Sequence, residues 1–175
     1  LTVQVEGSNR LETYSVYDFR GLLRYVLSPE ASLQLGTSIN ETILSRFAYR
    51  YDYDSQGRLI KKCLPGCAPV YMVYDQRDRL VMSQDGRTEN TNKWSYSLYD
   101  SFDRMIETGE VILGSTMTHA ALQTTVSASQ NYTPSGTRMA LQYMLYDTYT
   151  ATTNVPVKAF SATAGYSTSY SSRVI

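Results

Sequence analysis

Residues 47–86 read FAYRYDYDSQGRLIKKCLPGCAPVYMVYDQRDRLVMSQDG, and this stretch contains one motif twice. The motif Tyr53–Ile60 (YDSQGRLI) returns as Tyr74–Val81 (YDQRDRLV) and, further along the chain, as Tyr99–Ile106 (YDSFDRMI). An earlier copy, Tyr17–Leu23 (YDFRGLL), precedes them, and a bare Tyr146-Asp147 pair follows. Repetition of one motif along a chain predicts a repeat architecture, in which each copy is one supersecondary unit.

Each copy has the pattern of a strand, a tight turn and a return strand. Before the turn of the second copy, Phe47, Tyr49, Tyr51 and Tyr53 occupy alternate positions, which is typical of a strand with one aromatic face. Asp in the first turn position can accept hydrogen bonds from backbone amides two residues on, and Gly or Asp in the fourth position tolerates a left-handed backbone. We therefore predict that the motif residues set the register of hairpins and do not perform chemistry. These residues are Tyr17, Asp18, Gly21, Tyr53, Asp54, Gly57, Arg58, Tyr74, Asp75, Asp78, Arg79, Tyr99, Asp100, Asp103 and Arg104.

The Tyr-Asp pair followed by Gly-Arg-Leu, as in Tyr53–Leu59, resembles the motif of the Rhs/YD-repeat family. The copies spread this resemblance over most of residues 14–147. Asp78 and Asp103 depart from it by replacing the usual Gly, and Leu22-Leu23-Arg24 displaces the usual Arg-Leu order. The resemblance implies an internal piece of a large bacterial or teneurin-like polypeptide, secreted or at the cell surface, whose repeats coil into a hollow β-shell. In some members of the family that shell encloses a C-terminal toxin.

The charges of the chain cancel, with 16 basic and 16 acidic residues. This balance provides no positive field to attract nucleic acid or anionic lipid, so we predict no nucleic-acid partner. No apolar run approaches the roughly 20 residues that a membrane-spanning helix needs, so we predict no membrane insertion. The first residue is Leu1 and no basic-then-apolar leader follows it, so we expect a segment cut from a longer chain.

Tyrosine is over-represented, with 16 residues against 4 Phe and 1 Trp. A tyrosine suits a half-buried strand because its ring is apolar and its hydroxyl can reach water or a partner. The alternative use of these tyrosines, together with Trp94, is a surface that binds glycans or a partner protein.

The order of patterns along the chain predicts the fold class. Residues 1–13 are expected to form an edge strand, and the capping-box sequence that begins at Ser38 predicts a short helix near 39–46. Turns at Leu64–Gly66 and Gln84–Gly86 alternate with the Tyr-Asp turns, as in an antiparallel meander. A weak helical face in Thr116–Gln130 predicts a second helix. We therefore expect a mainly β fold: an antiparallel meander of Tyr-Asp hairpins that forms an open, curved segment of a β-shell, with one or two short inserted helices.

Two parts are expected within one unit. Residues 1–147 form the repeat sheet, and residues 148–175 form a Ser/Thr-rich C-terminal segment, which is either extended or loose.

The residues offer little for catalysis. His119 is the single histidine, and we interpret it as a solvated residue at the start of a helix because a catalytic triad needs three convergent groups. Asp52 and Asp54 are too few carboxylates for a divalent-metal site, which takes six or more oxygens. We therefore predict no enzyme activity, no metal and no cofactor.

Cys63 and Cys67 flank Leu64-Pro65-Gly66. Across a hairpin they could come within disulfide reach, and the extracytoplasmic setting implied by the family would allow oxidation. Two free thiols are the alternative, and the sequence leaves both open.

Two functions follow from these patterns. The first is a non-catalytic structural segment of a repeat shell that encloses or presents an effector or toxin domain. Its partners would be the remainder of its own polypeptide and an encapsulated effector, and the excised segment would self-associate through its strand edges. The alternative is a Tyr-rich surface adhesion module.

Overall fold

The computed structural model of the protein describes residues 2–6, 9–36, 38–88 and 91–146. Ten strands lie in these ranges: β1 (Thr2–Glu6), β2 (Asn9–Tyr17), β3 (Leu23–Leu27), β4 (Ala48–Tyr53), β5 (Leu59–Cys63), β6 (Val70–Tyr74), β7 (Leu80–Gln84), β8 (Lys93–Tyr99), β9 (Met105–Leu113) and β10 (Gly136–Tyr143). Three helices accompany them: α1 (Pro29–Leu35), α2 (Glu41–Phe47) and α3 (His119–Ser127). The strands form one sheet in chain order, each antiparallel to the next, with β1 and β10 at its edges. The fold is therefore the open antiparallel meander that the sequence predicted.

The register of the sheet shifts at the same place in every copy of the motif. Each shift falls at the tyrosine of the motif, directly before the turn aspartate, at Tyr17, Tyr53, Tyr74 and Tyr99. A type I turn followed by one left-handed residue adds such a bulge to a hairpin. The turn thus fixes the pairing of the two strands that it joins.

The structure has both helices that the sequence predicted and one that it did not. The predicted helix near 39–46 is α2, and its N-cap is Asn40, whose Oδ1 accepts hydrogen bonds from the backbone N–H of Thr42 and Ile43. Helix α1 was not predicted, because Ser28-Pro29 reads as the end of a strand. Ser28 is instead its N-cap and Pro29 its first residue, a position that suits proline since no intrahelical N–H is needed there. The predicted helix in Thr116–Gln130 is α3.

The predicted strand over residues 1–13 is also two elements. Thr2–Glu6 and the first part of β2 pair as a hairpin, with Thr2 opposite Thr13. Phe47, which was expected to open a strand with Tyr49, ends α2 instead, and β4 begins at Ala48.

All three helices lie on one side of the sheet. The register from Ala48 in β4 to Val73 in β6 stays on one face, and both residues are fully buried. On that face Val73, Met82 and Tyr96 pack against α3, which buries Leu122 and Val126. Helices α1 and α2 cover β2–β4, where Ala31 and Leu44 are buried, so each end of the sheet has its own helical cover.

Residues 147–175, which include Asp147 of the partial fifth copy and the predicted C-terminal segment, lie outside the described residues. None of the helices among the described residues has the length and apolar character to cross a membrane.

Candidate functional site

The four complete Tyr-Asp turns share one hydrogen-bond pattern. In the second copy, Asp54 Oδ1 accepts from the backbone N–H of Gln56 at 3.0 Å and of Arg58 at 2.9 Å. The Asp54 N–H donates to the carbonyl of Arg58 at 3.0 Å, and the Gly57 N–H donates to the carbonyl of Asp54 at 3.1 Å. The same four bonds recur at Asp18, Asp75 and Asp100. The carboxylate therefore closes each turn from inside, in the same way in all four copies.

The fourth position of each turn has a left-handed backbone. Its φ is 80° at Gly21, 83° at Gly57, 62° at Asp78 and 63° at Asp103. Gly adopts this region without strain, and Asp is among the few other residues that tolerate it.

In three copies an arginine at the fifth position pairs with the turn carboxylate. The distance from Arg Nε to Asp Oδ2 is 2.6 Å for Arg58 with Asp54 and 2.7 Å for Arg104 with Asp100. Arg79 contacts Asp75 Oδ2 through Nη2 at 2.6 Å and through Nε at 2.8 Å. The first copy has Leu22 at this position, so the arginine pair begins with the second copy.

The surroundings of three turn aspartates lower their pKa values and so favour the ionised carboxylate. Hydrogen bonding from the Leu22 N–H, with a smaller opposing effect of burial, holds the pKa of Asp18 below its ordinary value. At Asp54 burial acts to raise the pKa, but the backbone and side-chain hydrogen bonds of Arg58 and its charge outweigh burial, and the pKa is lowered. The pKa of Asp100 is lowered against burial by Arg104 in the same way. Three of the four turns therefore favour the ionised form of their aspartate.

Consecutive copies are joined by what we call the arginine–tyrosine ladder, the pairs Arg58–Tyr74, Arg79–Tyr99 and Arg104–Tyr146. In each pair the guanidinium carbon lies over the tyrosine ring, at 5.0, 4.8 and 4.5 Å from its centroid. When the register of the paired residues is extended to the ends of the strands, each of these arginines lies directly opposite the tyrosine of the next copy. A cation over a tyrosine ring at this distance is an attractive contact.

The tyrosine hydroxyls add a second bond between copies. Tyr74 donates to the carbonyl of Leu59, and Tyr99 donates to the carbonyl of Leu80, both at 2.9 Å. Burial raises the pKa of both phenols, and the nearby arginines only partly offset it. Both hydroxyls are therefore protonated donors at neutral pH.

Charged groups also connect one turn to the next. Arg58 Nη1 donates to Asp78 Oδ1 at 2.6 Å, and Arg77 and Arg79 donate to Asp103 Oδ1 at 2.7 and 2.8 Å. The first copy uses Arg20 instead, which donates to the carbonyls of Asp54 and Ser55 at 3.2 Å. The turns thus form one continuous row along one end of the strands.

The third turn is the centre of this row. Asp75 is fully buried, and the side chain of Arg79 is 9% exposed. Arg79 also donates to the carbonyl of Gln130 and, at 3.1 Å, to Asn131 Oδ1, both just beyond α3. The third turn therefore anchors the segment that follows the helix.

Sequence reasoning missed the polar side chains that hold the connections. Gln123 of α3 bonds the backbone of Tyr74 on both sides, accepting from its N–H at 3.0 Å and donating to its carbonyl at 2.7 Å. The buried Gln84 donates to the carbonyls of Thr88, Thr91 and Lys93 and so holds the connection from β7 to β8. A lone glutamine carries no signal of this role, because the carbonyls it serves are defined only by the path of the loop.

His119 opens α3 as expected, but it is not solvated. Its ring stacks on Tyr71 with the centroids 5.1 Å apart, and its Nε2 lies 2.8 Å from the carbonyl oxygen of Met72. The histidine is therefore half-buried against the sheet and helps to seat the helix.

Of the two alternatives that the sequence left open for Cys63 and Cys67, the structure has the second: both cysteines are free thiols. Cys63 is buried at the end of β5, whereas Cys67 is exposed and ends a turn in which its N–H donates to the carbonyl of Leu64. Lys62 and Val70 are the last pair between β5 and β6, so Cys67 lies in the turn and not opposite Cys63.

Asp52 and Trp94, which the sequence analysis considered for a metal site and for a binding surface, both have structural roles. Asp52 pairs with Arg24 at 2.8 Å, and no group of three His, Cys, Asp or Glu side chains placed to hold a metal ion occurs among the described residues. Trp94 is 3% exposed in the core beside α3, so it cannot contribute to a binding surface as the adhesion hypothesis assumed.

A cleft of about 590 Å³ lies between β2–β3 and the helices α1 and α2. Tyr14, Val16 and Tyr25 lie on its strand side, and Leu33 and Ile39 rim it with large exposed side chains. Its lining is mainly apolar.

No family model matches the chain, and none of the curated proteins does. Among solved structures, the chain is similar to the crystal structure of TcdB2-TccC3-Cdc42, with 14% identity and a TM-score of 0.48 over 71% of this chain. It is also similar to TcdB2-TccC3 without its hypervariable C-terminal region, with 15% identity and a TM-score of 0.47 over 68% of this chain. A third similar structure is TcdB2-TccC3-TEV, with 14% identity, a TM-score of 0.44 and 71% coverage. The chain spans 6% of the length of each of these solved chains.

Proposed function

We propose that this chain is a non-catalytic structural segment of a YD-repeat shell. The arginine–tyrosine ladder carries this proposal, because it joins every copy from the second onward to the copy that follows it. The turn carboxylates, the only acidic groups that recur in every copy, each accept two backbone N–H groups, as in Asp18 and Asp100. Carboxylates whose oxygens accept backbone hydrogen bonds in this way stabilise the turns of the sheet.

The larger role follows from the family resemblance. The shell encloses or presents an effector or toxin domain, secreted or at the surface of a bacterium. The partners are the remainder of the longer polypeptide and the enclosed effector. Residues 1–147 act as the repeat sheet, with 148–175 as an extended or loose C-terminal segment of the same unit.

Enclosure is tested by protease protection in the longer polypeptide that contains this chain. The wild type is compared with Arg79→Gln, which keeps a polar side chain but removes the charge shared by Asp75, Asp103 and the Tyr99 ring. Protection of the downstream domain is expected in the wild type and reduced protection in the variant. Digestion of that domain in the wild type as fast as in isolation would contradict the proposal.

The excised segment has two strand edges. Unpaired N–H and C=O groups on β1 and β10 are templates for association, and the neutral net charge adds no repulsion. We expect self-association that grows with concentration in light scattering. A monomer at all concentrations would mean that the segment covers its own edges.

The adhesion alternative is favoured by one observation. Phe19 is 98% exposed and Phe102 is 76% exposed, each in a Tyr-Asp turn at the same end of the sheet. A glycan array and a pull-down with the wild type and with Phe19→Ser plus Phe102→Ser distinguish the two functions. Binding that is lost in the double variant would support adhesion, and equal results for both proteins would count against it.

A further inference from the structure

The described part of the sheet has a hydrophobic core on each side of β5. The larger core lies beneath α3, and every buried residue in it belongs to β6–β9 or to α3. The other lies beneath α1 and α2, which pack mainly on β2–β4, and there Ala31, Leu44 and Ala48 are buried. We call β1–β5 with α1 and α2 the first unit, and β6–β10 with α3 the second unit. The β5–β6 junction is the boundary between the two units.

Backbone pairing is short at this junction. Strand β4 pairs with β5 at four positions, and β6 pairs with β7 at four positions. Across the junction, β5 and β6 pair at two positions, Lys61 with Tyr71 and Lys62 with Val70. Few backbone hydrogen bonds therefore join the first unit to the second.

The β7–β8 junction is paired as briefly, but a core crosses it. Its pairs are Met82 with Tyr96 and Ser83 with Ser95, and Met82 and Tyr96 are 1% and 2% exposed in the core with α3. The four residues paired across β5–β6 are all partly exposed. Burial of apolar surface therefore stabilises the β7–β8 junction more than the β5–β6 junction.

Side chains close the β5–β6 junction at the end near the Tyr-Asp turns. The Arg58 guanidinium lies 5.0 Å from the centroid of the Tyr74 ring and donates to Asp78 Oδ1 at 2.6 Å. The Tyr74 hydroxyl donates to the Leu59 carbonyl at 2.9 Å. The backbone N–H and carbonyl of Tyr74, by contrast, bond to Gln123 of α3 within the second unit. We call these contacts of Arg58 and of the Tyr74 side chain the clasp, because they join the two units.

We propose that the β5–β6 junction is a hinge, which opens at the clasp and turns about the connection 64–69 while both units stay folded. The connection contacts both units. The Gly66 N–H donates to the Ser45 carbonyl at 2.9 Å, and Ala68 packs so closely on Gly86 that a Cβ at Gly86 would overlap it. Opening breaks two residue pairs and the clasp but exposes neither core, so the curvature of the sheet can change at this place. The hinge follows from the pairing and the cores and does not depend on the proposed function.

Native-state amide exchange of the full 175-residue chain tests the hinge. Amide protons bonded between β5 and β6 should exchange faster than those bonded between β4 and β5 or between β6 and β7. The variant Tyr74→Leu removes the ring beneath Arg58 and the hydroxyl bond to Leu59, but it leaves the Arg58–Asp54 pair in place. We expect exchange across β5–β6 to become about five- to thirtyfold faster in this variant, the combined effect of a cation–ring contact and a hydrogen bond. Exchange inside each unit should change less.

The matched control is Tyr99→Leu, which removes the ring beneath Arg79 and the hydroxyl bond to Leu80 at the β7–β8 junction. Amides across that junction should exchange in step with the rest of the second unit, because the core joins β7 to β8. A second variant, Tyr74→Phe, keeps the ring and removes only the hydroxyl bond, so it provides the test if Tyr74→Leu does not fold.

Two results would overturn the inference. Amides across β5–β6 that are as protected as those inside both units would mean that the junction does not open by itself. If all amides of the first unit exchanged together with the junction amides, the first unit would be unfolding and not turning about a hinge.

Discussion

Loss of the charge on Asp75 is expected to destabilise the fold more than the same change in any other Tyr-Asp turn. Asp75 is fully buried, and its Oδ2 receives two bonds from Arg79, whose side chain is only 9% exposed. Asp75→Asn keeps an oxygen for the N–H groups of Arg77 and Arg79, but it turns an amide donor or a neutral oxygen toward the guanidinium. The variant therefore isolates the ion pair from the turn.

The expected loss of stability depends on the contacts that Arg79 keeps in the variant. Removing one partner of a buried ion pair costs about 3–5 kcal/mol. Arg79 keeps Asp103 at 2.8 Å, Asn131 at 3.1 Å and the Gln130 carbonyl, so we expect the low end, about 3 kcal/mol for Asp75→Asn. Asp75→Ala also removes two backbone hydrogen bonds, each contributing about 1 kcal/mol, so we expect about 5 kcal/mol.

Urea unfolding followed by circular dichroism measures both values, and Asp100→Asn is the matched control. Asp100 has the same turn and the same arginine pair, but the side chains are 19% and 33% exposed, and water screens such a pair. We expect a clearly smaller loss of stability in the control. If Asp75→Asn proved no more destabilising than Asp100→Asn, burial would not decide the strength of these pairs and the reasoning would be refuted.

Further variants test the turns and the thiols. Gly57→Val forces a β-branched residue to φ 83° and should cost about 1–3 kcal/mol in thermal melts, whereas Gly57→Asp should cost less because two other copies carry Asp there; equal losses would contradict the left-handed requirement. Leu22→Arg should stabilise the chain more in the Gly57→Asp background than alone, and an additive double-mutant cycle would mean that the two positions do not interact. The pKa of Asp54 is lowered by folding, so its contribution is complete above its ordinary value of 3.8 and is lost as the pH falls below that value; acid unfolding should be less steep in Asp54→Asn, and an unchanged slope would show that Asp54 is not involved. A thiol reagent should modify the exposed Cys67 rapidly and the buried Cys63 only on unfolding, and equal rates would contradict their difference in burial.

The sequence was sufficient to predict the hairpins because their determinants are local. The turn Asp bonds amides two and four residues away, and the left-handed residue follows one position after the first of them, as at Asp54 and Gly57. Tight turns of fixed length also determine which strands are neighbours, so the open meander followed from the spacing.

Helix α1 could not be predicted in the same way, because its signal is ambiguous. Ser28-Pro29 serves equally as the end of a strand or as a helix start, and the choice depends on burial of Ala31 against the sheet. Cys63 and Cys67 were left open for a similar reason, since their distance depends on where β5 ends relative to the turn. The partners of Gln84 and Gln123 required the path of whole connections.

The departures of this chain from the repeat motif can be understood only in pairs of copies. Asp takes the place of Gly in the third and fourth copies, and in both the carboxylate accepts a bond from an arginine of the preceding copy, Arg58 for Asp78 and Arg79 for Asp103. In the first copy the residue at the position of Arg58 and Arg79 is Leu22, whose Cδ1 would lie 3.8 Å from a Cβ at Gly57, and Arg20 of that copy donates to the carbonyls of Asp54 and Ser55. An Asp at that turn would have the strain of a left-handed backbone without the fifth-position arginine that pairs with Asp78 and Asp103 in the later copies. Each turn is therefore matched to the copy before it, and a repeat that looks degenerate in sequence is complementary to its neighbour in the sheet.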